Sequence, residues 1–214
     1  YTGKAKGITV FDVDVENGMF KERCEIEVDN SSYVIASSDG KTLYSIADEG
    51  VVSFRILPNG SLARLNSSSI RGMRGCHLCT DEEDKYVFVS GYHDGKTTVL
   101  NLNPDGSVGK IVDGVFDRGY GSVAERNFRP HVTCTRRMPD NRFVLSVDNG
   151  IDQVKIYRFN DKEQKLVQVD AIRCDLESAP RHFRYSKDGK FIYLMYELKK
   201  AIEVYTYKTG DRAP

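Results

Sequence analysis

The chain has 214 residues, of which 40% are hydrophobic and 29% are charged. Its 31 basic and 31 acidic side chains cancel to a formal net charge of zero, so neither nucleic acid nor an anionic membrane is indicated as a partner. No unbroken apolar run approaches the ~18 residues of a membrane span, and the apolar content is too high for a disordered chain. We therefore expect a water-soluble globular protein with a sizeable core.

The predicted elements are short strands that recur in the same order along the chain. The segment from Gly7 to Phe20 (GITVFDVDVENGMF) resembles the end of a first unit. Four further segments each carry a polar turn, an apolar strand, a second turn and an alternating strand. The residues that mark the polar turns are Gly40, Asp84, Asn141 and Gly189. The stretches Pro58-Asn-Gly60 and Pro104-Asp-Gly106 predict tight hairpins after two of the alternating strands.

Self-similarity at intervals of about 44 to 57 residues favours a β-propeller over a β-sandwich, because each unit has about four strands and none has a sustained helical period. We predict an all-β chain that forms a partial propeller as a single domain. The repeat units are predicted at roughly 1–22, 23–66, 67–112, 124–170 and 171–214. The longest interval has extra residues around 109–128, and an insertion in one repeat often decorates the binding face.

The repeat register predicts which side chains emerge at one rim of the ring. Two positions flank each polar turn at nearly equal distances on antiparallel neighbours, so they reach the same end of the sheet. The first position holds Tyr33, His77, Cys134 and His182, and the second holds Asp48, Tyr92, Asn149 and Glu197. We therefore expect His182 beside Glu197 on one blade, and His77 beside Tyr92 and His93 on another. With His131, all four histidines of the chain should gather at this end.

Arginines flank these histidines in the sequence. They are Arg74, Arg126, Arg129 and Arg181. Guanidinium groups bind carboxylate or phosphate, while a histidine or glutamate can take a proton from water. The pattern predicts a site for a small, oxygen-rich anion. The alternative for each histidine is a hydrogen bond to a backbone carbonyl of the next blade, and for Arg74 and Arg129 it is a solvated rim charge.

The five cysteines are odd in number and scattered, which favours reduced thiols and a cytoplasmic protein. The only suggestive spacing is Cys76-His-Leu-Cys79. A redox pair needs a helix N-terminus, and a zinc site needs a second pair of ligands at suitable spacing. The sequence indicates neither, so we predict no metal site and no redox chemistry at these cysteines.

Several stretches resemble the seven-bladed β-propeller lactonases, a family that joins propeller-type 6-phosphogluconolactonases with carboxymuconate cyclases. The matching stretches run the length of the chain and include Gly7-Ile-Thr-Val-Phe-Asp12, Gly75-Cys-His77, Tyr92-His93, Arg126-Asn, Arg129-Pro-His131, Pro180-Arg-His182 and Tyr196-Glu-Leu198. The resemblance implies a seven-bladed ring, of which this chain would cover about four to five blades. The remainder would come from a missing part of the chain or from another chain.

The resemblance also implies which side chains line the active cleft of the family. They are His77, Arg126, His131, Arg181, His182 and Glu197. This chain departs from the family pattern at two positions. Thr133 stands where the family often has a second histidine, and Asn127 stands where it often has glutamine after the arginine.

The resulting hypothesis is metal-independent hydrolysis of a sugar-acid lactone, with 6-phosphogluconolactone as the leading candidate and no cofactor. Glu197, His182 and His131 are the predicted catalytic residues. The predicted substrate-binding residues are Arg181, Arg126, His77, Tyr92, His93 and Arg129. Glu197 and His182 both remain candidates for the base that activates water. The alternatives are a muconate-type lactonising cycloisomerase, whose dicarboxylate substrate would use the same arginines, and a non-catalytic propeller that binds a ligand or protein.

Overall fold

The computed structural model describes residues 6–48, 50–121 and 128–208. Within these residues the chain forms seventeen β-strands and no helix. The strands lie in five antiparallel sheets, and the order of strands within each sheet follows the chain. The predicted all-β fold is confirmed.

The first sheet is a hairpin that consists of β1 (Gly7–Asp14) and β2 (Met19–Glu27). The second sheet contains β3 (Val34–Ala36), β4 (Thr42–Ala47), β5 (Gly50–Ile56) and β6 (Leu62–Ser69). The third contains β7 (His77–Thr80), β8 (Tyr86–Gly91), β9 (Lys96–Leu102) and β10 (Val108–Phe116). The fourth contains β11 (Val132–Arg137), β12 (Phe143–Asp148), β13 (Gln153–Asn160) and β14 (Lys165–Arg173). The fifth contains β15 (Pro180–Tyr185), β16 (Phe191–Tyr196) and β17 (Ala201–Thr206).

The first strands of neighbouring sheets face one another across a common axis. Strand β7 contacts both β3 and β11, and β11 also contacts β15. Four-stranded antiparallel meanders that radiate from such an axis are the blades of a propeller. Because each blade begins with its innermost strand, the residues that open these strands meet at one end of the axis.

The turns between the first and second strands share one geometry in four sheets. Gly40, Asp84, Asn141 and Gly189 all have positive φ angles, from 50° to 70°. In each turn the backbone N–H of this residue donates to the carbonyl three residues earlier, at 2.8 to 3.1 Å. Aspartate and asparagine tolerate the left-handed region better than most side chains, so they can replace glycine here. The predicted equivalence of the four turns is therefore confirmed.

The hydrophobic core lies between neighbouring sheets. Leu78 of the third sheet packs in one cluster with Ile46 of the second. Phe88, also of the third sheet, packs with Val144 of the fourth. A further cluster joins the fourth and fifth sheets around Phe183. Each blade is thus held by apolar contact with the next, as expected for a repeat protein whose units cannot bury their faces alone.

The fifth sheet presents one apolar face that no described part of the chain covers. Along β16, the buried Ile192 and Leu194 alternate with Tyr193 and Met195, which are 41% and 42% exposed. On the neighbouring β17, Ile202 is 65% exposed. Contiguous exposed apolar surface of this kind marks a packing or interaction face.

No helix among the described residues is long and apolar enough to span a membrane.

The core packing makes Leu78 a sensitive position for stability. Its side chain is fully buried between two sheets, so Leu78→Ala removes buried methyl groups and leaves a cavity. We expect the free energy of unfolding to fall by about 2 to 5 kcal/mol, measured by urea denaturation. Val15→Ala is the control, because Val15 is 87% exposed and should change stability by no more than about 0.5 kcal/mol. Equal effects of the two substitutions would contradict the assigned core.

Candidate active site

A cavity of about 630 Å³ opens at the end of the axis where the first strands begin. Its walls come from the segment before β3, the starts of β7 and β15, and the ends of β8 and β16. Six of the predicted site residues line it: His77, Tyr92, His93, Arg181, His182 and Glu197. Arg74, Tyr33 and Thr133 also line this cavity. The structure thus brings these side chains to one cavity, whereas His131, which was expected with them, is not among the described lining residues.

Arg181 and Glu197 form an ion pair on the fifth sheet. The guanidinium Nη1 of Arg181 donates to Oε2 of Glu197 at 2.7 Å. Strand register explains the pairing, because Pro180 lies opposite Tyr196 and the backbone N–H of Glu197 donates to the carbonyl of Ala179. Both side chains keep about a third of their surface exposed to the cavity. The ion pair therefore fixes a carboxylate at the site while leaving it within reach of a ligand.

His182 lies on β15 beside this ion pair, opposite Met195 of β16. Its ring meets the ring of His77 edge to face, with the centroids 5.3 Å apart. Burial lowers the pKa of His182 below its ordinary value, and the nearby guanidinium groups of Arg136 and Arg181 lower it further. His182 is therefore a neutral imidazole at neutral pH, a form that can accept a proton.

His77 opens β7 and is almost fully buried, with only 1% of its surface exposed. Its Nε2 accepts a hydrogen bond from Nη2 of Arg136 at 3.1 Å. Burial lowers the pKa of His77 well below the ordinary value, and the charge of Arg136 contributes in the same direction. A neutral ring that accepts at Nε2 carries its proton on Nδ1. His77 is thus held as a neutral ring, whose buried Nδ1 has no hydrogen-bond partner among the described residues.

His131 does not belong to the described lining of the cavity but packs behind it. Its ring stacks on the ring of Tyr92, with centroids 4.2 Å apart and planes 11° from parallel. The Nδ1–H of His131 donates to the backbone carbonyl of Tyr92 at 2.6 Å. His131 therefore makes the hydrogen bond to a backbone carbonyl of a neighbouring blade that was the predicted alternative to a role in the site. Tyr92 itself lines the cavity, so His131 supports part of its wall.

The remaining predicted arginines occupy different surroundings. Arg74 lines the cavity, and its Nη1 lies 3.5 Å from Oδ1 of Asp48. Arg129 places its guanidinium over the ring of Phe128 at 5.5 Å, away from the cavity lining. Arg126 lies outside the described residues. The structure therefore brings two of the four, Arg74 and Arg181, to the cavity.

Sequence reasoning missed Arg136, which lies on the axis between His77 and a second, smaller cavity. Besides its bond to His77, its Nη1 lies 3.5 Å from Sγ of Cys79. A signal was available in the sequence. Arg136 follows Cys134 by two residues on β11, so both side chains point to the same face of the sheet. Cys134 occupies the register position that holds His77 and His182 in other blades.

Thr133 also has a defined role at the position where the family often has histidine. Its hydroxyl donates to the backbone carbonyl of Arg181 at 2.7 Å, which links β11 to β15. The departure from the family pattern therefore replaces a titratable ring with a neutral contact between blades. Arg181, whose backbone carbonyl accepts this hydrogen bond, still lines the cavity.

One group of side chains has the composition of a metal site. Potential ligand atoms of His77, Cys134 and His182 lie within 4.8 Å of one another. Imidazole and thiolate ligands suit zinc or copper. Here, however, burial raises the pKa of Cys134 to about 11, which favours the neutral thiol. The guanidinium of Arg136 also donates to Nε2 of His77. A cation bound to this group would therefore lie next to a fixed positive charge.

The two cysteines of the Cys-x-x-Cys stretch point to different neighbours. Cys76 Sγ lies 3.4 Å from the carbonyl of Val132, whereas Cys79 Sγ lies near Arg136 and the carbonyl of Thr80. All five cysteines are free thiols. Burial raises the pKa of Cys76 to about 12, so this thiol is a poor nucleophile.

Comparison with known proteins identifies the fold family. The family model described as "Lactonase, 7-bladed beta-propeller" matches residues 1–213. The chain belongs to this family of seven-bladed β-propeller lactonases. The predicted recognition and the predicted propeller fold are thereby confirmed.

Individual relatives of the lactonase family agree with this assignment. A 6-phosphogluconolactonase of Bacillus subtilis is 30% identical over 96% of this chain and 60% of its own length. The crystal structure of a Bacteroides fragilis protein superposes with a TM-score of 0.90 at 32% identity, over 98% of this chain and 62% of that one. The periplasmic gluconolactonase of Pseudomonas aeruginosa has a TM-score of 0.91 at 25% identity, over 98% and 63%. The chain thus spans about 60% of the length of these lactonase relatives.

The electrostatics of this lactonase-family cavity generate a prediction for His77. Because burial and Arg136 hold its pKa well below the ordinary value, its ring should stay neutral from about pH 5.5 to about pH 8. Nitrogen-15 NMR of histidine-labelled protein should show no titration of this ring, with the signal assigned by His77→Gln. In urea-unfolded protein the same ring should titrate near about pH 6.5. A folded-state titration near that value would contradict the assigned hydrogen bond.

Proposed function

We propose that the whole protein hydrolyses a sugar-acid lactone, with 6-phosphogluconolactone as the leading substrate. The observation that carries the proposal is the set Arg181, Glu197, His182 and His77 on the wall of one cavity. A volume of about 630 Å³ falls within the usual range of small-molecule sites. The names of the Bacillus subtilis and Pseudomonas aeruginosa relatives support the same class of reaction.

The charge of the cavity supports an anionic substrate. The guanidinium groups of Arg74 and Arg181 line it, and that of Arg136 lies directly beneath His77. Glu197 is the carboxylate that faces them on the described wall. Guanidinium forks bind phosphate and carboxylate through paired hydrogen bonds. We propose that Arg181, Arg74 and Arg126 hold the phosphate or carboxylate of the substrate.

The proposed reaction needs one base and one donor to the carbonyl oxygen. Glu197 or His182 takes a proton from water, and the hydroxide adds to the lactone carbonyl carbon. The oxygen of that carbonyl becomes negatively charged and is stabilised by cationic or N–H donors of the cavity, of which Arg181 is nearest to Glu197. The ring C–O bond then breaks, and the proton passes to the leaving hydroxyl oxygen. The product is the open hydroxy acid, and no metal or cofactor enters these steps.

Both candidate bases have support in the geometry. Glu197 carries a negative charge that Arg181 orients towards the cavity. His182 is a neutral imidazole, because burial and the adjacent arginines lower its pKa. The first arrangement gives a fixed carboxylate and the second gives an uncharged proton acceptor. The two are distinguished by substitution below.

We also propose a cytoplasmic location and a small anionic lactone as the partner. Five free thiols are typical of a reducing compartment. The Pseudomonas aeruginosa relative is described as periplasmic, so the family name alone does not decide the compartment. Fractionation of the source cells with antibody detection tests this proposal directly.

The catalytic proposal predicts that Glu197→Gln and His182→Ala reduce kcat, measured with 6-phosphogluconolactone and purified full-length protein. Loss of the base should lower kcat by about 10²-fold or more, and the other substitution should have the smaller effect. Glu83→Gln is the matched control, because Glu83 lies on an exposed turn of the third sheet away from the cavity and should leave kcat unchanged.

Hydrolysis by the wild type must first exceed the spontaneous rate. If it does not, a panel of lactones and muconate-type dicarboxylates separates the alternatives: turnover of a dicarboxylate supports the cycloisomerase. Absence of turnover on every substrate supports the non-catalytic binding platform. A crystal soaked in phosphate adds an independent readout, since an anion held by Arg181 and His182 supports the enzyme.

The binding proposal predicts a different kinetic effect for Arg126→Ala. Loss of a phosphate-binding guanidinium should raise KM by about 10-fold or more while kcat changes little. Arg64→Ala is the control, since Arg64 is exposed on the outer strand β6 and should leave KM unchanged. A fall in kcat with unchanged KM would assign Arg126 to the transition state instead of to substrate binding.

A further inference from the structure

Two carboxyl groups face each other between the third and fourth sheets. Asp148 ends β12 and is completely buried, and Asp117 follows β10 directly. Their side chains lie within hydrogen-bonding reach of each other. Among the described residues, neither Oδ2 atom has an N–H or O–H donor from another group. Two ionised carboxylates cannot donate to each other, so a hydrogen bond between them requires a shared proton.

The surrounding bonds show where that proton resides. Oδ1 of Asp148 accepts three backbone N–H bonds, from His131 at 2.8 Å, Gly150 at 2.9 Å and Ile151 at 3.2 Å. Oδ1 of Asp117 accepts the hydroxyl of Tyr157 at 2.9 Å. The nearby charge of Lys155 favours the ionised form of Asp117. The proton therefore lies between the two remaining oxygens, the Oδ2 atoms of Asp117 and Asp148, and is shared by the pair.

The carboxyl pair ties together both ends of the insertion that runs from Asp117 to His131. At the start, the backbone N–H of Asp117 donates to the carbonyl of Gly95 at 2.8 Å. At the end, the backbone of His131 is held by Oδ1 of Asp148 and by Asn149, whose N–H donates to the carbonyl of His131 at 2.9 Å. The segment thus leaves the third sheet and enters the fourth at one buried carboxyl pair.

This junction connects to the cavity through His131. The ring of His131 stacks on Tyr92 and donates to its carbonyl oxygen, and Tyr92 lines the cavity. A shift of the His131 backbone would therefore move the support of Tyr92. Asp117 and Asp148 are not among the described residues that line the cavity, so they would act on a ligand through these neighbours.

We propose that Asp117 and Asp148 share one proton and act together as positioning residues, which hold His131 and, through it, Tyr92 in the wall of the active site. The positioning role rests on the proposed function only in that it takes this cavity as the active site. When the pair loses its proton, two buried negative charges repel each other and the junction loosens. The expected consequence is weaker substrate binding at alkaline pH.

Few other titratable or charged groups face this pair. Tyr157 and Lys155 of β13 face Asp117, and Asp117 and Tyr157 face Asp148. Arg129 and His93 act on His131, whose pKa burial lowers, so its ring is neutral and does not compete for the proton at alkaline pH. Burial and, next, the adjacent Asp117 together raise the pKa of Asp148 to about 8.

Stability measurements test the shared proton without any substrate. The folded state retains a proton that the unfolded chain loses near its ordinary aspartate pKa, so this contribution to stability falls as pH rises from about 4 to about 8 and then levels off. Asp148→Asn imitates the protonated group, because its oxygen accepts the three N–H bonds and its amide donates to Asp117. The urea midpoint of the wild type should fall relative to that of Asp148→Asn as the pH rises from about 5 to about 8.

Two further variants make the stability test independent of one substitution. In Asp117→Asn the amide group lies on Asp117 and donates to the carboxylate of Asp148. The urea midpoint of the wild type should change with pH relative to this variant in the same way as relative to Asp148→Asn. Asp105→Asn is the control, because Asp105 lies on an exposed turn and its difference from wild type should stay constant over this range. A constant difference for both variants of the pair would overturn the proposal. Infrared spectra should show a protonated carboxylic acid band in the wild type at about pH 6, and its retention in both variants would equally overturn it.

Kinetics then test the positioning role. With a turned-over lactone, the wild type should show a KM that rises above about pH 8, while Asp148→Asn should show a KM that is flat across this range. A rise in KM of equal size in the variant would overturn the positioning role. If no lactone is hydrolysed, the proposed function fails, while the stability and infrared measurements still decide on the shared proton.

Discussion

The register of the innermost strand against the second strand is the constraint on which the other features depend. In four sheets a residue with positive φ sets this register through one backbone hydrogen bond. Asp84 and Asn141 perform the role that Gly40 and Gly189 perform elsewhere, because short polar side chains tolerate the left-handed region. A slip of one residue would turn every side chain to the opposite face. The cavity exists because four blades keep the same register and begin at the same end of the axis.

Within this frame, the cavity combines permanent positive charge with neutral imidazoles. Arg136 donates to His77, and the pKa values of His77 and His182 are both lowered by burial and by neighbouring arginines. The positive charge of the cavity therefore comes from guanidinium groups, which stay protonated at all relevant pH values. Of the two rings, His182 is the more exposed and can accept a proton, whereas Nε2 of His77 is occupied by Arg136. The cavity is thus positively charged although the two histidine rings are neutral.

The sequence predicted those features that repeat and missed those that occur in one blade. Turn residues, strand order and the presence of His182 and Glu197 at one cavity follow from spacing within one repeat, so they were predictable. The partner of Glu197 is Arg181, however, and His182 lies opposite Met195. The hydrogen bond from His131 to the Tyr92 carbonyl joins different blades, and no spacing rule specifies it. Asp148 has no equivalent, since the corresponding residues of the other three blades are Ala47, Gly91 and Tyr196. A carboxyl pair formed by one blade with its neighbour's insertion requires the structure.

The uncovered apolar face of the fifth sheet extends to the edge of the cavity. Met195 belongs to this face and also lines the cavity near Glu197. In a seven-bladed ring, the next blade packs on this face, because alternating exposed residues such as Tyr193 and Ile202 require apolar cover. The ion pair of Arg181 and Glu197 thus lies near the uncovered face, so a blade packed there would border the cavity beside Glu197.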